Sequence, residues 1–196
     1  MRYILATGAP GSKWSSVIKK IYWSPDIDQS DYSFERTYWH DADTPGNKQL
    51  MHIGAYWDPG MEFEPDDWDS PFSGTGIRII KSHVFAHRLN NLRIKGYPII
   101  MVYRNDYECL EWWKLCGEFT ITYPNYQHFE NLDKMWGHIQ EENKDIMNFI
   151  HANKDRVTSI KNNIELCKSL NIASPKGEHQ NFHNYHAKGI QVYLYE

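Results

Sequence analysis

Six consecutive residues, Pro98-Ile99-Ile100-Met101-Val102-Tyr103, limit the fold of this chain more than any others. Side chains in a strand alternate between the two faces of its sheet. A strand that is apolar at every position therefore has to be covered on both faces. An inner strand of a parallel sheet with helices on either side meets that condition. The neighbouring segments keep the same rhythm. Residues 2–7 (RYILAT) read as a short buried strand, and residues 13–22 as the helix after it, with Val17, Ile18 and Ile21 toward a core. Residues 77–80 (IRII) form a β-branched run ending at Lys81, followed by a polar helix over 84–95 that Gly96 closes. Another helix is expected over about 106–116. Strand alternating with helix predicts a parallel sheet with right-handed crossovers.

Two regions break this rhythm. Residues 24–76 are rich in Asp, Pro, Gly, Trp and Tyr with no sustained period, and read as a long aromatic and acidic loop region. Residues 129–153 read as a helix with Leu132, Trp136, Ile139, Ile146 and Ile150 near one face, and a further helix is expected over about 155–170, closed by Asn171 and Pro175. The resulting expectation is a single domain over residues 1–196 of the α/β class. It would be a three-layer sandwich with a central parallel sheet, P-loop-like, with a helical part over 129–170.

At 196 residues the chain can bury a core without staples. Its net charge of −4 argues against a broadly basic nucleic-acid footprint. Cys109, Cys116 and Cys167 are an odd number without metal-like pairing, which fits a reducing compartment. The N-terminal apolar run is too short for a signal peptide, and no stretch approaches the roughly 20 apolar residues of a membrane span. A cytoplasmic protein is expected, with neither nucleic acid nor membrane as partner. Eight Trp and 13 Tyr exceed what a minimal core needs, so some should line a pocket.

Three places could carry chemistry, and each also has an ordinary structural reading. Gly8, Pro10, Gly11 and Ser12 turn the first strand into the first helix, and such turns present backbone amides to phosphates. The Walker A pattern requires Lys followed directly by Ser or Thr. Here Ser12 precedes Lys13, and Trp14 occupies the place of the magnesium-binding hydroxyl; a plain Gly/Pro turn is the alternative. Lys81-Ser82-His83 follows a strand, where a histidine suits a general base or is simply a surface residue in a turn. Arg104 ends the strongest strand, where guanidinium suits a terminal phosphate or caps the strand beside Asp106.

Taken in order, "PGSKWSS", "RIIKSHVF" and "IIMVYRNDYECLEWW" resemble the sulfotransferase family. In that family a loop reads like Pro-Lys-Ser-Gly-Thr-Thr-Trp, a later strand ends in Lys-Thr-His, and the next ends in Arg-Asn-Pro. The resemblance covers roughly residues 2–115. It implies transfer of a sulfuryl group from 3′-phosphoadenosine 5′-phosphosulfate to a hydroxyl or amine, with a small molecule or glycan as acceptor and no metal required. Pro10, Gly11, Ser12, Lys13, Trp14, Ser15 and Ser16 would cradle the phosphosulfate, and Arg104 would hold the 3′-phosphate. His83 would take the acceptor's proton, and Lys13 or Lys81 would neutralise charge on the bridging oxygen. The chain departs from the pattern at Gly11, where the family has its lysine, at Asp106 in place of proline, and at Trp112 in place of a serine. Lys188-Gly189 is the nearest counterpart of the family's late basic loop.

Tyr38, Trp39, His40, Tyr56 and Trp57, with His52, offer aromatic planes for a polar acceptor, or pack among themselves as a loop. His179, His183 and His186 have a zinc-like spacing, but Pro175 and Gly177 argue against a rigid helix there, so no metal site is expected. Two other function classes remain open. One is a P-loop nucleotide or small-molecule kinase using ATP and magnesium; the other is a catalytically silent nucleotide-binding or interaction module.

Overall fold

The computed structural model describes residues 2–33, 37–39, 50–53, 68–115 and 130–196. In chain order its elements are β1 (Tyr3–Gly8), α1 (Trp14–Tyr22), β2 (Thr37–Trp39), β3 (Leu50–Ile53), β4 (Arg78–Lys81), α2 (Leu89–Leu92), β5 (Ile99–Tyr103), α3 (Asp106–Leu115), α4 (Leu132–Ala152), β6 (Val157–Ile160), α5 (Asn163–Ser169) and β7 (Gln191–Tyr195). Five strands form one sheet in the order β4-β1-β5-β7-β6. β1 runs parallel to both β4 and β5, with Ile4 opposite Ile79 and Ala6 opposite Ile100. β7 runs antiparallel between β5 and β6, so four of the five strands point one way and β7 opposes them.

The apolar run at 99–102 is buried at every position, as a strand covered on both faces must be. Ile4, Ala6, Ile79, Ile100, Val102, Val192 and Leu194 share one face with α1 and α5. Leu5, Ile80, Ile99 and Met101 share the other with α2, α4 and the 3-10 segment His83–Arg88. A third, smaller cluster joins Ala9 to Cys109 and Trp113 of α3 and to Met135 and Ile139 of α4. It packs directly beneath the turn that leaves β1.

The sequence expectations need four corrections. The sheet expected to be parallel is mixed, because β7 enters antiparallel between β5 and β6. The helix read over 84–95 is a 3-10 segment, then the single turn α2, then a second 3-10 stretch at Arg93–Lys95. Val84 and the Asn90-Asn91 pair are weak helix formers, and burial of Leu89 and Leu92 sets the path instead. The helix read over 155–170 is strand β6 followed by the short α5. Val157 to Ile160 gains its strand identity by pairing with β7, some 35 positions away in sequence, and strand preference depends on such neighbours. The end of that region was read correctly, because Asn171 adopts the left-handed conformation (φ 52°) that closes helices. Within 24–76, β2 and β3 pair antiparallel, Thr37 opposite Ile53, and strands of three and four residues are too short to show a period.

Among the described residues no helix is long and apolar enough to cross a membrane. Cys109 and Cys167 are free, buried thiols. Burial pushes Cys109 up to about 12, so it carries no reactive thiolate at neutral pH.

Candidate functional site

The turn after β1 is fixed by close approach. Gly11 sits at φ 77°, and a Cβ there would lie 1.9 Å from the carbonyl oxygen of Cys109. Only glycine accommodates both constraints. A Cβ on Gly8 would come within 2.7 Å of Ser12 Oγ and 2.8 Å of Trp14 Cβ. Ser12 N donates to Ala9 O at 3.0 Å, and Lys13, also left-handed at φ 65°, forms the N-cap of α1. No side chain caps α1 and its first turn holds no acidic residue, so the positive end of its dipole is uncompensated from within the helix. Ser12 Oγ is fully buried and makes no hydrogen bond among the described residues.

β4 delivers Lys81 and His83 to the same edge, because β4 and β1 are parallel neighbours in register. His83 Nδ1 lies 2.6 Å from Gly8 O. A carbonyl oxygen can only accept, so Nδ1 carries the proton, and whenever the ring is neutral its lone pair lies on Nε2. The rings of Trp14 and His83 are 4.5 Å apart, and Lys81 Nζ lies 4.6 Å from the centre of the same indole. A buried ammonium and an imidazole thus both pack against Trp14, and Lys81 is only 3 % exposed.

Arg104 braces the turn. Its Nη1 donates to Gly11 O at 3.3 Å and Glu108 O at 3.1 Å, and its Nε lies 3.3 Å from Glu108 Oε2. Asn143 of α4 holds the end of β5 from the other side, donating to Arg104 O at 2.8 Å and to Asp106 Oδ1 at 2.6 Å.

Lys13 turns toward a cleft of about 200 Å³ that Trp112, His183, Tyr185 and Lys188 also line. The Lys13 ammonium lies 4.0 Å over the Trp112 ring, a cation–π distance. Lys188 Nζ is 3.2 Å from His183 Nε2. Desolvation, with Lys20 and Lys188 nearby, holds His183 down at about 4, so the imidazole is neutral beside the ammonium groups. An aromatic plane and two ammonium groups around a small cleft suit a phosphorylated, ring-bearing ligand. The cleft has room for one end of it.

Pro10, Gly11, Ser12, Lys13, Trp14, Lys81, His83 and Arg104 therefore converge at the carboxyl edge of β1, β4 and β5, together with Ser15 of α1. Ser16 lies farther along and lines the cleft. Tyr38 and Trp39 belong to β2; His40, Tyr56 and Trp57 lie outside the described residues, as does Cys116. The tail histidines go separate ways. His179 stacks on Trp23 at 4.5 Å, His183 faces the cleft, and His186 lies exposed in a 3-10 turn.

Two groups escaped the sequence reading. In sequence Trp112 stands out only as the replacement of a serine, yet it lines the cleft. On the opposite face of the sheet, His87, His138 and Glu142 come together, with Asp145 against His87. Part of their signal is present in the sequence as His138-x3-Glu142, one turn apart on a helix. The long separation of His87 from that pair hides their meeting.

Comparison of the chain with protein-family models, with curated proteins and with solved structures finds no match in any of the three.

Proposed function

We propose that the chain is a sulfotransferase that moves the sulfuryl group of 3′-phosphoadenosine 5′-phosphosulfate to a hydroxyl or amine acceptor, on a P-loop-like three-layer fold. The observation that carries the reading is the meeting of the β1–α1 turn and His83 at one sheet edge, with Nδ1 donating to Gly8 O. A histidine in that tautomer is set up to accept a proton at Nε2. The donor set fits the nucleotide. The orphaned Ser12 Oγ and the uncapped first turn of α1 suit phosphate oxygens, and Trp112, Lys13 and Lys188 suit one end of the adenosine bisphosphate. Arg104 is engaged with Gly11 and Glu108, so in this reading Lys188, which lines the cleft, would neutralise the 3′-phosphate in its place.

In the reaction, the acceptor oxygen forms a bond to sulfur as the bond from sulfur to the bridging phosphate oxygen breaks. The acceptor's proton passes to His83 Nε2, and adenosine 3′,5′-bisphosphate leaves with the electron pair. Such in-line transfer depends on positioning and on positive charge near the leaving oxygen, which Lys13 or Lys81 supplies.

Thermal unfolding with adenosine 3′,5′-bisphosphate, or with ATP and magnesium, tests the reading. At one hundred times its dissociation constant a ligand stabilises by about 2.7 kcal/mol, or roughly 5–11 °C for a chain of this size. Stabilisation by the bisphosphate without metal is expected. A shift only with ATP and magnesium identifies a kinase and refutes the proposal. No shift with either identifies a silent module, the reading that the engaged Arg104 favours.

A further inference from the structure

A carboxylate that is completely buried needs positive charge close by, because removing it from water is costly. Glu142 is such a group, with no exposed surface. It sits on the buried face of α4, with Oε1 2.8 Å from Nε2 of the equally buried His138 and Oε2 3.7 Å from His83 Nδ1. The 3-10 segment after β4 packs across this face and brings in His87. One ligand atom each from His87, His138 and Glu142 lies within 4.8 Å of the others.

We infer that His87, His138 and Glu142 bind one transition-metal dication of the zinc class, with Asp145 holding His87 in its ligating orientation. Two imidazoles and one carboxylate are a donor set that suits zinc and its neighbours rather than magnesium or calcium, which prefer oxygen. Donor atoms around a tetrahedral zinc lie about 3.3 Å apart, given bonds of about 2.0–2.1 Å. Small side-chain rotations therefore close the present arrangement onto an ion. His138 and Glu142 are one turn apart on a 21-residue helix, so their spacing is set by a rigid element.

The surroundings match those of a metal-bound histidine. His87 Nδ1 lies 2.7 Å from Asp145 Oδ2, the carboxylate–imidazole contact that fixes a ring and directs its other nitrogen to a metal. His87 is partly exposed whereas His138 and Glu142 are not, so the ion would meet solvent on one side. Three protein ligands with a fourth position open to water is the coordination pattern of reactive rather than purely structural zinc. The site is one carboxylate away from His83. An ion there would hold Glu142 in place and, through the 3-10 segment, set the position of His83. None of this depends on the nucleotide reading.

The test uses the full chain, stripped with chelator and dialysed, then titrated with zinc chloride alone by calorimetry and with cobalt chloride by visible absorption. One tight equivalent per chain and a tetrahedral cobalt spectrum are expected. His87→Ala, at a partly exposed position, should weaken binding at least tenfold while circular dichroism stays native. Asp145→Asn should weaken it by about 10–100-fold, the usual effect of losing a carboxylate behind a ligating histidine. His179→Ala and His186→Ala should change nothing. Absence of a tight equivalent would mean that the surrounding protein groups neutralise Glu142 without a metal, and would overturn the proposal. So would tight binding that survives His87→Ala or is lost with the tail variants. Adenosine bisphosphate binding, measured without added metal, reports separately on the nucleotide site.

Discussion

Replacing Gly11 with alanine probes how tightly the β1–α1 turn is held. Gly11 and Gly96 have nearly the same backbone conformation, at φ 77° and 71°. Their surroundings differ. A Cβ on Gly96 meets nothing within 4 Å, whereas one on Gly11 would be 1.9 Å from Cys109 O and 2.7 Å from Cys109 C. Gly96→Ala therefore reports the left-handed backbone cost alone, about 1 kcal/mol, or roughly 2–4 °C in Tm. Gly11→Ala carries that cost and a backbone clash. The clash is relieved only by moving the first turn of α3, which Arg104 and Asn143 tie to the turn and to α4. Forced displacement of packed groups adds about 1–3 kcal/mol. The expected total is about 3 kcal/mol, or roughly 6–12 °C. Differential scanning fluorimetry of the two variants and the parent gives both numbers. Because the amides of the turn move, Gly11→Ala should also abolish stabilisation by adenosine 3′,5′-bisphosphate, which Gly96→Ala leaves unchanged. Equal losses of Tm in the two variants would refute the packing described for the turn.

Three further outcomes are expected. His83→Ala removes sulfuryl transfer while bisphosphate binding stays within a few-fold of the parent; joint loss of both would make His83 part of the nucleotide site. His183 titrates near 4 rather than at the usual imidazole value of about 6.5. Its folded pKa lies below its unfolded one, so it contributes stability that is present above about pH 6.5 and lost as pH falls through about 4. An NMR titration of the His183 ring checks this, and an anion bound beside Lys188 should raise the midpoint; an unshifted midpoint contradicts the burial described. Asn131 caps α4 by accepting from Lys134 N at 2.9 Å, and Asn131→Ala should cost about 1 kcal/mol, read as a fall of about 2–4 °C in Tm.

The elements whose identity is written locally were legible in the chain. Ile99 to Val102 are apolar at every position, and only an inner strand uses all of them, so β5, with β1 beside it and β4 beyond β1, followed from side-chain order alone. The turn between β1 and α1 was equally plain, because glycine and proline set backbone conformation by themselves. Its chemistry was legible only as far as residue type. Arg104 suggested a phosphate ligand, and its guanidinium instead joins Gly11 O, Glu108 O and the Glu108 carboxylate.

What tertiary structure decided was every feature built by residues far apart in sequence. Val157 to Ile160 could continue a helical region until β7 arrived beside it, and the antiparallel insertion of β7 beside β5 made a mixed sheet from an expected parallel one. The cleft needs Lys13 and Trp112 to meet Lys188, a residue whose short basic motif says little by itself. The His87, His138 and Glu142 cluster likewise joins one histidine to an unremarkable pair across the packing of α4 on the segment after β4. A sequence records which side chains share a helical turn or a strand face. Which turns and faces meet is decided by the burial of several cores at once, and both candidate sites of this chain lie at such meetings.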